Sequence, residues 1–174
     1  MKGAAGPAAG GAASVTGTIG SWAGQPDRDL AAGVVGYTAG VFDLFNVGHL
    51  NLLRQAREQC DHLIVGVSTD ELVLRTRGAA PVYPFLERLA IVQNIRYVDQ
   101  VVPQGRNDKL QAWQLLRFDV LFAGDNRRAD PVWQQLAAGL GEAGVQVRLL
   151  PATRTGSGML LDHGEAYWRA DHLD

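Results

Sequence analysis

From Gly33 onward, short apolar runs alternate with stretches of helical period, and this alternation leaves few architectures open. The runs cover residues 34–37, 63–67, 98–102, 120–123 and 145–150. Each is short and rich in β-branched residues, as strands buried on both faces of a sheet are. Between them the spacing predicts helices over 47–60, 84–95, 108–117 and 130–142. Pro84 and Pro131 suit first helical positions, Asp130 suits an N-cap, and Asn107 or Asp108 suits another. The predicted class is α/β: a Rossmann-like, doubly wound, five-stranded parallel sheet covered on both faces, with right-handed crossovers. In such sheets ligands bind beyond the carboxyl ends of the strands, near the point where the winding reverses. No internal repeat is visible.

A chain of 174 residues, 47% apolar and 20% charged, is enough for one domain with an ordinary core. A net charge of −2 and a pI near 6.1 argue against general attraction to nucleic acid or to an anionic membrane, so any basic site must be local. No run reaches the roughly 18 apolar residues of a membrane span. Residues 1–31 read as a flexible Gly/Ala-rich leader, because Gly6, Pro7, Gly10 and Gly11 interrupt what a signal peptide would need as its apolar core. The expected organisation is that leader, a domain over 32–162 and a tail over 163–174, in a cytoplasmic protein. The single cysteine, Cys60, has no partner within the chain and reads as a small core residue in a reducing compartment.

The segment leaving the first run reads Gly40-Val41-Phe42-Asp43-Leu44-Phe45-Asn46-Val47-Gly48-His49, with a helix following at once. A glycine-containing turn that feeds a helix N-terminus gathers backbone N–H groups and the positive end of the helix dipole, which favours phosphate. Asn46 and His49, three residues apart, reach the same side of this turn, and Gly48 allows close approach. Taken alone, N-x-G-H reads as a capping asparagine with a polar histidine beside it.

The whole segment, however, resembles the G-x-F-D-x-x-H-x-G-H signature of cytidylyltransferase-like nucleotidyltransferases, glycerol-3-phosphate cytidylyltransferase and its bacterial relatives in particular. Residues 61–71, Glu87-Arg88, residues 95–99 and Gly124-Asp125 continue the resemblance in the family's order, over about 34–160. The resemblance implies transfer of CMP from CTP to a small phosphomonoester such as glycerol 3-phosphate, with release of pyrophosphate. It also implies Mg²⁺ carried mainly by the NTP phosphates, no metal ligands in the chain itself, and a homodimer. Two alternatives stand beside it: AMP transfer from ATP to a phosphorylated substrate, and a catalytically weakened nucleotide-binding regulatory protein.

By the same resemblance His49 stabilises the transferring phosphate and the leaving group, and Asn46 stands where most relatives carry a first histidine. An amide there donates a hydrogen bond but cannot become cationic, although other branches of the superfamily carry a threonine. Arg77 is implied as a catalytic and acceptor-binding cation, with arginine where the family usually has lysine, and Arg75 lies beside it. Asp43 and Lys109 are implied acceptor contacts. Gly40, Val41, Phe42, Asn46, Gly48, His49, Arg96 and Asp125 are implied nucleotide contacts, with Arg154, Thr155 and Ser157 from a loop resembling R-T-x-G-I-S-T-T. In that loop Gly158 and Met159 replace the usual hydroxyl residues. Arg88 reads as a helix-surface ion-pair partner, and Arg96 has a second reading as an Arg–Asp brace at a strand entrance. Trp113 and Trp133 read as helix core, while Asn126-Arg127-Arg128 replaces the tryptophan often found after the G-D pair.

Overall fold

A computed structural model describes residues 33–153. The leader expected over 1–31, the residues Arg154, Thr155 and Ser157, and the tail expected over 163–174 lie outside the described residues. The elements run β1 (Val35–Gly40), α1 (Val47–Arg57), β2 (His62–Ser68), α2 (Asp70–Arg77), α3 (Phe85–Gln93), β3 (Gln100–Gln104), α4 (Lys109–Leu116), β4 (Val120–Gly124), α5 (Pro131–Glu142) and β5 (Gln146–Leu150). The sheet has five strands in the order β3-β2-β1-β4-β5, every neighbouring pair parallel. The winding reverses between β1 and β4, so the crevice above their carboxyl ends is the ligand position of a doubly wound sheet.

The five apolar runs are the five strands, with β3 shifted two residues beyond the run at 98–102. Alternation along β2 sends Leu63, Val65 and Val67 to one face, where they meet Leu53 and Ala56 of α1 and Val92 of α3. Ile64 goes to the other face with Tyr37, Leu121, Phe118 and Leu140 of α5, and Trp113 and Trp133 pack against this cluster as the helical pattern predicts. Cys60 is buried just after α1, its thiol donating to the Ala56 carbonyl at 3.3 Å, and burial pushes its pKa up to about 11. It is an inert core residue.

α2 is a helix that the sequence pattern did not predict. Its local signals are complete. The Thr69 side chain caps the Leu72 N–H, Asp70 and Glu71 occupy the first turn, Arg75 and Arg77 the last, and Gly78 ends it at φ 78°. Asp130 and Asp108 cap α5 and α4 as predicted, whereas Pro84 is the residue before α3 rather than its first helical position. Among the described residues no helix is long and apolar enough to cross a membrane.

Candidate active site

The turn between β1 and α1 is strained and heavily braced. Phe42 and Leu44 take left-handed backbone conformations at φ 54° and 45°. Neither is glycine, so each costs on the order of 1 kcal/mol and persists only where its surroundings over-determine it. Three constraints do so. The Phe42 ring is buried in the core cluster, next to Gly40, where a Cβ would come within 3.2 Å of it. The Asp43 carboxylate accepts from the N–H groups of Val82 (2.7 Å), Tyr83 (2.9 Å) and Leu44 (3.0 Å). The guanidinium of Arg88 donates to the Val41 carbonyl, to the Tyr83 carbonyl at 2.8 Å and to Asp70 Oδ1 at 2.7 Å.

Arg88 is therefore no surface residue. It is 0% exposed and ties this turn to the start of α2 and to the segment before α3. Asp70 is its partner. Burial works to raise the Asp70 pKa, but the Phe85 amide at 3.0 Å and the Arg88 guanidinium outweigh it and hold the carboxyl below the usual aspartate range. Asp43, expected to touch the acceptor, is engaged as a brace by the three amides just named.

α1 opens with a capping box. Asn46 Oδ1 accepts from the N–H groups of Gly48 (2.9 Å) and His49 (3.3 Å), and the Asn46 N–H donates back to His49 Nδ1 at 3.2 Å. This cap stabilises the helix by about 1 kcal/mol and takes up two of the amides that would otherwise face an anion. Asn46 Nδ2 points to the Leu44 carbonyl at 3.4 Å. The capping reading of Asn46 is thus the arrangement found, in place of a side chain free to serve as a donor.

The same box fixes His49. Because Nδ1 accepts, the neutral ring carries its proton on Nε2, which bonds to no described residue. Burial lowers the His49 pKa, the nearby negative charge of Asp43 opposes that, and the positive charge of Arg77 adds to the lowering. Arg77, exposed at the end of α2, is therefore electrostatically coupled to His49 across the turn. The Phe42 and Phe45 rings, each 5.5 Å from the imidazole, hold its plane.

This arrangement predicts a pH effect on stability. The folded pKa of His49 lies below its unfolded value of about 6.5, so its contribution is complete above about pH 6.5 and is lost as pH falls through the folded pKa. Denaturant midpoints of the natural protein and of His49→Gln should diverge between about pH 7.5 and pH 5.5, with the natural protein losing more stability. Parallel curves would show that His49 is not buried neutral.

Other strand ends converge on the same edge. Gly48 lies against the chain leaving β5: a Cβ there would meet Asn46 Oδ1 at 3.0 Å and the Thr153 carbonyl at 3.8 Å. Asn51 of α1 donates to Thr153 Oγ1 at 3.1 Å, and Asp125, just after β4, accepts from the Ala152 N–H at 3.2 Å. The segment that leads to Arg154 thus starts beside the α1 N-terminus. Arg75 donates to the Gly105 carbonyl at 3.1 Å and braces α2 against the chain after β3.

One basic residue lies elsewhere than expected. Arg96 precedes β3, at the amino edge opposite His49; it is exposed and lies over Tyr97 at 5.5 Å. The topology does not bring it to the turn as a nucleotide contact. The Arg–Asp brace does exist at this entrance, but Arg57 supplies it, 3.1 Å from Asp99, whose carboxylate also accepts from the Leu63 N–H at 2.7 Å. Lys109, an implied acceptor contact, is only 6% exposed at the start of α4.

A doubly wound parallel sheet with a braced turn, a helix N-terminus and a half-buried imidazole at its switch point defines a nucleotidyltransferase-type α/β domain. Residues 37–167 match the cytidylyltransferase-like family, and the chain belongs to that family. It is 42% identical over 99 residues to the bifunctional protein HldE of Gluconacetobacter diazotrophicus, covering 56% of this chain and 20% of that protein. It is 38% identical over 92 residues to the FAD synthase of Pyrococcus abyssi, covering 52% of this chain and 62% of that protein. The chain thus spans about a fifth of the first relative and less than two thirds of the second. In fold it is similar to the lipopolysaccharide core biosynthesis protein of Thermoplasma volcanium, with a TM-score of 0.60 at 22% identity over 71% of this chain and 98% of that one. Neither sequence relative bears the name of a glycerol-3-phosphate cytidylyltransferase, so the resemblance drawn from the motifs holds at the level of the family.

Proposed function

We propose that this chain is an adenylyltransferase that moves AMP from ATP onto a small phosphorylated acceptor and releases pyrophosphate. The observation that carries the transfer chemistry is His49, held by its Nδ1 so that Nε2–H is the donor presented at the carboxyl edge. An acceptor phosphate oxygen forms a bond to the α-phosphorus while the bond from that phosphorus to the bridging oxygen breaks, and pyrophosphate leaves with the electron pair. Nothing is oxidised or reduced. His49 Nε2–H and the Arg77 charge stabilise the negative charge that builds on the phosphoryl oxygens, and the braced turn supplies positioning.

The choice of ATP over the CTP favoured by the motif resemblance rests on FAD synthase, since the nucleotide half of flavin adenine dinucleotide is adenylate. Transfer from CTP to glycerol 3-phosphate is the competing outcome. Mg²⁺ enters this reading only as a companion of the triphosphate. Among the described residues no three His, Cys, Asp or Glu side chains group closely enough to hold a metal ion. A homodimer belongs to the same reading and is checked by the mass of the protein in solution.

A pyrophosphate-release screen of ATP, CTP, GTP and UTP against small phosphomonoesters, with Mg²⁺, tests the proposal. Turnover should be greatest with ATP, by about 10-fold or more over CTP, as expected where a base-specific polar contact is lost. Preference for CTP would restore the cytidylyltransferase reading. Tight binding of one nucleotide without turnover would favour the weakened binding protein, a reading that the occupied Asn46 cap also supports.

A further inference from the structure

Ser68 and Gln104 are two of the few polar side chains buried among the described residues, each 7% exposed. They end the neighbouring strands β2 and β3, directly opposite one another at the carboxyl edge. Ser68 Oγ donates to Gln104 Oε1 at 3.3 Å, and the Gln104 amide nitrogen meets no acceptor among the described residues. Whichever way the amide is turned, one of its arms is left over.

Tyr37 brings a third group to the same face of the sheet. It is 1% exposed and stacks on Phe118 at 4.9 Å. Its register partner on β2 is Ile64, yet its hydroxyl reaches on to Gly66, where a Cβ would collide with it and would lie 3.1 Å from the Ala39 Cβ. Gly66 and Ser68 share one face of β2, so the hydroxyl points along the strand toward the Ser68–Gln104 pair. It bonds to no described residue, although buried tyrosine hydroxyls usually find a partner. Among the described residues the one fully enclosed side-chain polar atom without a partner is His62 Nε2, at the opposite end of β2. The Tyr37 hydroxyl and the spare Gln104 arm therefore border open space, at the edge where α1 covers one face of the sheet and α4 and α5 the other.

We propose that Tyr37, Ser68 and Gln104 read the uncharged, hydroxyl-bearing body of the acceptor, a polyol or a sugar, and so decide which phosphorylated compound is taken. This rests on the transferase reading above for its purpose, but not for its test. All three groups are neutral, and each can both donate and accept, which suits hydroxyl groups. A cationic acceptor would call for a carboxylate, and an alkyl one for an apolar wall. A pocket built to hydrogen-bond hydroxyls rejects the analogue that lacks them, because its own buried polar groups are then left unpaired.

Calorimetry on the full chain compares phosphates matched in carbon number: glycerol 3-phosphate with propyl phosphate, and ribitol 5-phosphate with pentyl phosphate. In at least one pair the hydroxylated member should bind tighter by about 10-fold or more. Tyr37→Phe and Gln104→Leu should each reduce that ratio by about threefold or more, a change that a purely structural role would not produce. The melting temperature of Tyr37→Phe should hold or rise, since the hydroxyl has no protein partner to lose; a fall of several degrees would show it bonded within the fold and would overturn the proposal. Pyrophosphate release bears on transfer alone, so a protein that shows the ratio without turnover keeps this pocket and loses the transferase reading. Equal affinities within both pairs, no binding of any of the four compounds, or a ratio that either variant leaves untouched would leave water as the partner of these groups and remove the pocket.

Discussion

Replacing Arg88 by alanine should destabilise the domain by about 3 kcal/mol or more, the largest loss expected from any single substitution outside the apolar core. The side chain is fully buried and large, so truncation leaves a void. It also strips hydrogen bonds from the Val41 and Tyr83 carbonyls, whereas Asp70, 45% exposed, can turn to water. Urea titration gives the loss directly, and Arg88→Met separates its causes. Methionine fills much of the volume but leaves both carbonyls unpaired, so it should recover only part of the stability and leave the 40–49 turn loosened. Activity in Arg88→Met should then fall by more than its stability explains, because the two left-handed residues would lose one of their three constraints. A methionine variant as stable and as active as the natural protein would reduce Arg88 to a space-filler.

Arg88 also marks the limit of what was legible in the sequence. The strands could be read, because five short apolar runs have only one role available in a chain of this pattern, and the phosphate-favouring turn followed from where the first run stops. α2 was missed although Thr69, Asp70, Glu71 and Gly78 give its start and stop; with only eight residues and two buried side chains, its apolar stripe is too short to register as a period. Arg88 was legible as an ion-pair partner but not as a buried one. Its partners Val41 and Asp70 are 47 and 18 residues away, and a carbonyl acceptor leaves no trace in residue identity. The burial of Lys109 was equally hard to read, since a lysine at a first helical turn is normally solvated. Asn46 shows the reverse case. The local reading, a capping asparagine, describes the contacts found, while the family reading had assigned it a chemical role.

The turn and the brace together give the catalytic prediction its force. His49→Ala should lower kcat by about 10²–10³-fold, the usual cost of losing one well-aimed donor to a developing phosphoryl charge. Nucleotide affinity should change little, because the Nε2–H contact gains strength as charge accumulates in the transition state and contributes less before it. The substitution also removes the acceptor for the Asn46 N–H, so part of any loss could come from a frayed α1 N-terminus rather than from missing chemistry. His49→Asn and His49→Gln separate the two, as each offers a side-chain oxygen to the Asn46 amide without presenting an imidazole N–H in the same place. If helix stability recovers in either variant while kcat stays low, the imidazole itself carries the rate. Asn46→His completes the comparison: it exchanges the capping oxygen for a ring that can become cationic, and should raise kcat only to the extent that this charge reaches the phosphate. Full turnover in His49→Ala, measured by pyrophosphate release at saturating nucleotide, would remove His49 from the mechanism and leave the α1 N-terminus and Arg77 as the groups facing the phosphates.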